Sequence, residues 1–270
     1  MSNSLRDQKY DLNNAKMPFV AHLLELRMRL IYVIAAFLAC FFLGYYLAEP
    51  IFWFLVEPLR ELWIGQSERQ LIYTGLHEAF FTYIKLGFFF ATCLSFPLVS
   101  MQIWLFIAPG LYKRERRALL PFMVATPLLF LLGGAIVYYV VIPVAWQFFA
   151  SFEIATSHGR LAMMLEPKVD QYLSLVMRLI FAFGVAFELP VLLILLVKYG
   201  IVNSRILKAK RKYFIVLSFI VAAIVTPPDV VSQVLLAVPI ILLYEFSIFV
   251  AQFVENRRKE NLETTGCGVV

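Results

Sequence analysis

Apolar residues in this chain fall into long blocks of the size needed to cross about 30 Å of hydrocarbon, separated by polar segments. Six blocks are read, over residues 30–47, 80–107, 119–142, 172–197, 213–225 and 230–253. They predict an all-α membrane protein with six transmembrane helices. The domain organisation that follows is a flexible N-terminal segment at residues 1–16, one transmembrane domain at 17–254 and a flexible tail at 255–270. An even number of spans places both termini on one side. The fifth block is short, since thirteen residues at 1.5 Å rise make about 20 Å of helix. The sixth runs fifteen residues from Val230 before Glu245, about 22 Å. Mismatch of this size calls for tilt, snorkelling or local thinning of the bilayer.

The connections carry pattern of their own. Phe19, Leu23, Leu26 and Leu30 recur at helical spacing while His22, Glu25 and Arg29 fall on another face. This predicts an amphipathic helix along the inner surface before the chain turns into the membrane. The apolar, aromatic stretch 50–58, framed by Pro50 and Pro58, reads as a short helix at the outer interface. Trp146, Phe148, Phe149 and Phe152 suggest the same behaviour beyond the third block.

Composition agrees with this reading. The chain is 61% hydrophobic and 16% charged, against about 25% charged in a soluble domain. A formal charge of +6 would suit nucleic acid only with a basic patch on a soluble surface. Here the cations sit at block ends, which points to topogenesis and contact with anionic lipid headgroups. Eighteen Lys and Arg lie before the first block, in the tail and in the connections around Arg114 and Lys208, against four in the opposite connections (Arg60, Arg69, Arg160 and Lys168). The N- and C-termini are therefore expected to be cytoplasmic. Cys40, Cys93 and Cys267 show no paired spacing, so neither a disulfide framework nor a zinc site is expected. No cleavable signal peptide is read, and the first helix is expected to stay as an anchor.

No enzyme signature emerges. His22, His77 and His158 are far apart, and no phosphate loop or nucleophile elbow is present. No catalytic residue, metal site or cofactor is expected. The informative residues are polar ones at or inside the membrane. Glu25 stands four residues from Arg29, in reach of an i,i+4 pair. Glu115 is one carboxylate among Lys113, Arg114, Arg116 and Arg117, and both glutamates suit bidentate acceptance of a guanidinium from a basic ligand. Glu188 precedes Leu189-Pro190 inside the fourth block, where a kink is expected and where a charge faces a cavity or a partner, or pairs with Lys85 or Arg178. Lys85 and Glu245, nearer block ends, are expected to snorkel. Asp229 suits the N-cap of the sixth helix, and Gln233 carries an amide into the membrane, where a polar partner is expected.

Four segments, in order, carry a resemblance: His22-Leu23-x-Glu25-Leu26-Arg27-x-Arg29-Leu30, Phe106-Ile107-Ala108-Pro109-Gly110-Leu111-Tyr112-x-x-Glu115-Arg116, Ala182-Phe183-Gly184-x-Ala186-Phe187-Glu188-x-Pro190, and Pro227-Pro228-Asp229-x-x-Ser232-Gln233. Together they resemble the TatC family over nearly the whole chain. The resemblance implies six helices in a curved, cupped arrangement, the last two short, in the inner membrane. It implies a receptor for twin-arginine signal peptides of folded precursors, working with TatA-like and TatB-like single-span proteins in a multimeric complex driven by the proton motive force. By the same resemblance, Glu25, Arg27, Phe106 and Glu115 bind signal peptide, Glu188, Gln233 and Asp229 meet ligand or partner helices, and Pro58 belongs to an outer cap. Arg178 is a departure from the family pattern. The alternative suggested by Lys85, Arg178, Glu188 and Glu245 is a small-solute or proton-coupled transporter, which would show repeats and discontinuous helices at the midplane. Neither is read in this sequence.

Overall fold

The computed structural model describes residues 19–63, 70–107, 120–153, 166–226 and 230–266, with side chains described for 23–63, 70–106, 121–153, 166–226 and 230–255. The regular structure there is helical, apart from one isolated bridge between Ile72 and Lys168. Five stretches are long and apolar enough to cross a membrane: Leu23–Tyr46, Glu78–Phe106, Pro121–Ala150, Val169–Lys198 and Val230–Glu255. The chain is thus an all-α, multi-pass membrane protein.

Helix α1 spans Phe19–Tyr46 without interruption. The expected turn between a surface helix and the membrane is absent, because no Gly or Pro interrupts residues 19–43 and the hydrogen-bond ladder propagates through. Helix α2, Ala48–Leu62, contains Pro58 in its interior, so this proline does not end the outer helix as its position in the sequence suggested. Helix α3 is Glu78–Ile107. Helix α4, Leu120–Ile136, continues through a π-helical turn at Val137–Val141 into α5, Ile142–Ala150. The wide turn comes directly before Pro143, in the first turn of α5, where a missing N–H is tolerated. The third span therefore outruns its expected end at residue 142. Trp146, expected at the interface, is instead buried and stacks on Tyr172 with ring centroids 5.3 Å apart.

The fourth block is two helices, α6 at Val169–Ala186 and α7 at Leu189–Lys198. At the break the Phe187 N–H reaches the Phe183 carbonyl at 2.8 Å and Glu188 tightens to the Val185 carbonyl at 3.0 Å. Pro190 sits in the first turn of α7, where its ring suits a helix start. The expected kink is thus a two-residue break at Phe187 and Glu188 within one span. A short α8, Ser204–Ala209, leads to α9, Arg211–Val225. Helix α9 has fifteen residues, about 22 Å, so the fifth block is short as expected. Helix α10 spans Val230–Gly266. Its uncharged part ends at Glu245, but the expected tail from residue 255 is helical as far as Gly266, since its Glu, Arg and Lys are good helix formers.

Helix α1 packs on α3, α3 on α4 and α6, α4 on α6, and both α7 and α9 on α10. Glycine permits two of these crossings. A Cβ at Gly44 would stand 3.0 Å from the Gly87 carbonyl oxygen, and one at Gly133 would stand 2.7 Å from the Phe183 carbonyl oxygen. Small residues at crossings let membrane helices gain van der Waals contact where no hydrophobic force drives them together. The main core lies between α2, the π turn and α6, with Leu59, Val137, Ile142, Leu173, Val176 and Phe183 almost wholly enclosed.

Candidate functional site

Polar side chains concentrate at two ends of this bundle. At the basic end, where α1 begins, Arg29 pairs with Glu25 one turn before it on the same helix, and its Nη1 donates to Gln102 Oε1 on α3 at 3.1 Å. The second bond, from Arg29 Nε to Glu25 Oε1, is 3.1 Å. The i,i+4 pair read in the sequence is therefore formed, and Arg29 links α1 to α3. Arg27, on the same helix, is exposed. Phe106 stands half-buried one turn beyond Gln102 on α3. Glu115 and Asp229 lie outside the described residues.

On the same side, α8 and α9 are tied to α10. Arg211 donates to Glu245 at 2.6 Å, the Tyr244 hydroxyl donates to the Leu207 carbonyl at 2.9 Å, and the Ser204 N–H donates to Glu255 at 3.1 Å. Phe214 stacks on Tyr244 at 3.9 Å. Glu245 therefore meets a cation across helices, where snorkelling was expected.

Glu188 sits at the break itself as the residue preceding α7, half-buried. The internal partner considered for it, Lys85, pairs instead with Asp170 at 2.5 Å, and Arg178, ten residues away along the chain and out of reach, is exposed. Lys85 was expected to snorkel, but a carboxylate in the first turn of α6 holds it. Gln233 donates to the Phe219 carbonyl at 3.0 Å, so its polar partner is the backbone of α9.

The other end is built around Pro58. Proline has no N–H, so the carbonyl four residues earlier, that of Phe54, loses its helical donor. The Tyr138 hydroxyl replaces it at 2.7 Å, with the rings of Tyr138 and Phe54 stacked at 4.5 Å. Beside it the Tyr172 hydroxyl donates to the Leu55 carbonyl at 2.9 Å. Both tyrosines are buried, at 8% and 4% exposure, where a carbonyl without a donor would be costly. Glu78 completes this end by accepting the Thr74 N–H at 2.8 Å and the Asp170 N–H at 3.3 Å, which joins the starts of α3 and α6.

Residues 21–239 match the family described as Sec-independent protein translocase protein (TatC). The chain belongs to the TatC family. The TatC protein of Magnetococcus marinus is 50% identical over 245 residues, covering 91% of this chain and 88% of its own. That of Rickettsia prowazekii is 44% identical, covering 91% and 96%. A crystal structure described as the twin arginine translocase receptor TatC superposes with a TM-score of 0.74 at 38% identity, covering 86% of this chain and 99% of that one.

Within this TatC chain, four contributors to the two ends escaped the sequence reading. Gln102 left a signal, an amide inside an apolar block, but nothing along the chain pairs it with Arg29. Tyr138 and Tyr172 look like ordinary apolar-block aromatics, since their acceptors are carbonyls far away in sequence. Asp170 gives no sign along the chain of its partner, because Lys85 is far away in sequence. Among the described residues, no group of three or more His, Cys, Asp and Glu is placed to hold a metal ion.

Proposed function

We propose that this chain is the receptor subunit of a twin-arginine translocase, binding the signal peptides of folded precursors. The observation that carries the reading is the match over 99% of a receptor of that description, together with family membership. The chain works in the inner membrane with TatA-like and TatB-like single-span proteins, in a multimeric complex driven by the proton motive force. One transmembrane domain over residues 17–254 performs this, with six spans counting α9 and with both termini at the cytoplasmic, basic end.

Glu25 and Glu115 receive the paired arginines of the signal peptide at that end, with Arg27 and Phe106 beside them. The free chain supports a specific route for Glu25. Arg29 holds both Glu25 and Gln102, so an incoming guanidinium displaces Arg29 from the carboxylate while Gln102 keeps it in place. A guanidinium fits a carboxylate bidentately, which an ammonium does not. Glu188, Gln233 and Asp229 meet the apolar part of the peptide or partner helices, and Pro58 sets the outer cap. The solute-carrier alternative finds one supporting feature, the discontinuity at Glu188, but the family assignment weighs against it.

Site-specific photocrosslinking of a twin-arginine precursor tests the reading. A probe at Arg27 or Phe106 should capture the precursor, and a twin-lysine precursor should be captured poorly. Equal capture of both peptides would overturn it. For Glu188, exchange to Gln should harm transport less than exchange to Leu if a hydrogen bond is its role. Equal loss in both, with assembly intact, would overturn that role.

A further inference from the structure

We propose that the groove between α3 and α6 near the Pro58 end holds one anionic phospholipid, its phosphate on Arg178 and Lys85 and an acyl chain against Phe88 and Phe181. Two cavities meet there and share Lys85, Ser174 and Arg178. One, of about 720 Å³, opens toward Lys168 and Gln171 at the start of α6. The other, of about 560 Å³, runs on between apolar side chains to Thr92 and Phe181. A polar mouth over an apolar slot matches a headgroup over its chain.

Charge completes the match. Asp170 is taken by Lys85, and Arg178 makes no ion pair among the described residues. Around the polar cavity three cations, Lys85, Lys168 and Arg178, face two carboxylates, Glu166 and Asp170, which leaves the groove positive. Arg178 is nine residues into α6, about 14 Å from its start. A long side chain rises toward the headgroups from such a depth, and a guanidinium there needs an anion or water. Its planar fork fits a phosphate bidentately.

The test is native mass spectrometry of the full chain in mild detergent, titrated with phosphatidylglycerol or phosphatidylcholine. One phosphatidylglycerol should be retained in preference to phosphatidylcholine. Arg178→Ala should lower its retention about fivefold, the weight of one cation near an anionic headgroup, while Arg178→Lys keeps most of it and both variants keep the parent thermal midpoint. Millimolar inorganic phosphate should not displace the lipid, since the chain adds to binding. Equal retention by the parent and Arg178→Ala, no preference over phosphatidylcholine, equal loss in Arg178→Lys, or displacement by phosphate would each overturn the proposal. Loss of a co-purifying membrane protein from Arg178→Ala, with lipid retention unchanged, would overturn it in favour of a partner's carboxylate.

Discussion

The Pro58 cap and the Glu25 corner stand at opposite ends of the bundle and are held by opposite kinds of bond. At the cap, neutral hydroxyls of two buried tyrosines donate to backbone carbonyls of α2 from the π turn and α6. At the corner, a part-exposed guanidinium bridges a carboxylate on its own helix and an amide on α3. A buried hydroxyl has no competing partner and its carbonyl cannot turn away, so the cap fixes geometry. A part-exposed i,i+4 ion pair on one helix is worth about half a kcal/mol and is weakened by salt, so the corner can change partners. One end is suited to holding shape and the other to exchanging ligands.

The largest expected effect is at the cap. Tyr138→Phe leaves the buried Phe54 carbonyl without its donor and should cost about 1–3 kcal/mol, whereas Tyr172→Phe removes a second bond from the Leu55 carbonyl, which keeps its helical partner Leu59, and should cost about 0.5–1.5 kcal/mol, both read as a lowered thermal midpoint in mild detergent. If both variants match the parent, the cap is not held by these bonds and the contrast fails. A double-mutant cycle sharpens it. Pro58→Ala restores the N–H that Phe54 lacks, so Tyr138→Phe should cost less in that background, by about 0.5–1.5 kcal/mol, whereas Tyr172→Phe should cost the same in both. Additive behaviour of Pro58 and Tyr138 would show that the hydroxyl does not stand in for the missing donor.

The smallest expected effect on stability is at the corner. Glu25→Gln should change the thermal midpoint little, since an i,i+4 pair contributes about 0.3–0.5 kcal/mol, yet it should weaken precursor crosslinking, with the parent's binding falling as salt rises. Gln102→Ala should leave Arg29 tied to Glu25 alone and so weaken precursor binding too, with insertion unchanged. A large loss of stability in Glu25→Gln would make the corner a second structural clasp and abolish the distinction.

Much of this was legible along the chain, because the bilayer imposes length and apolarity on each span and those are properties of consecutive residues. The apolar blocks, the short helix ending at Val225, the disruption beside Glu188 and Pro190, and the Glu25–Arg29 pair all rest on neighbours within a turn or two. So does the family resemblance, which the match over residues 21–239 bears out. What only the tertiary structure decided involves partners distant in sequence: Tyr138 and Tyr172 with the α2 carbonyls, Lys85 with Asp170 rather than Glu188, Gln233 with the Phe219 carbonyl, and Gln102 with Arg29. In a membrane the backbone satisfies itself inside each helix, so periodicity reveals the helices well. The remaining polar bonds depend on which helices lie side by side, and nothing local in the chain specifies that.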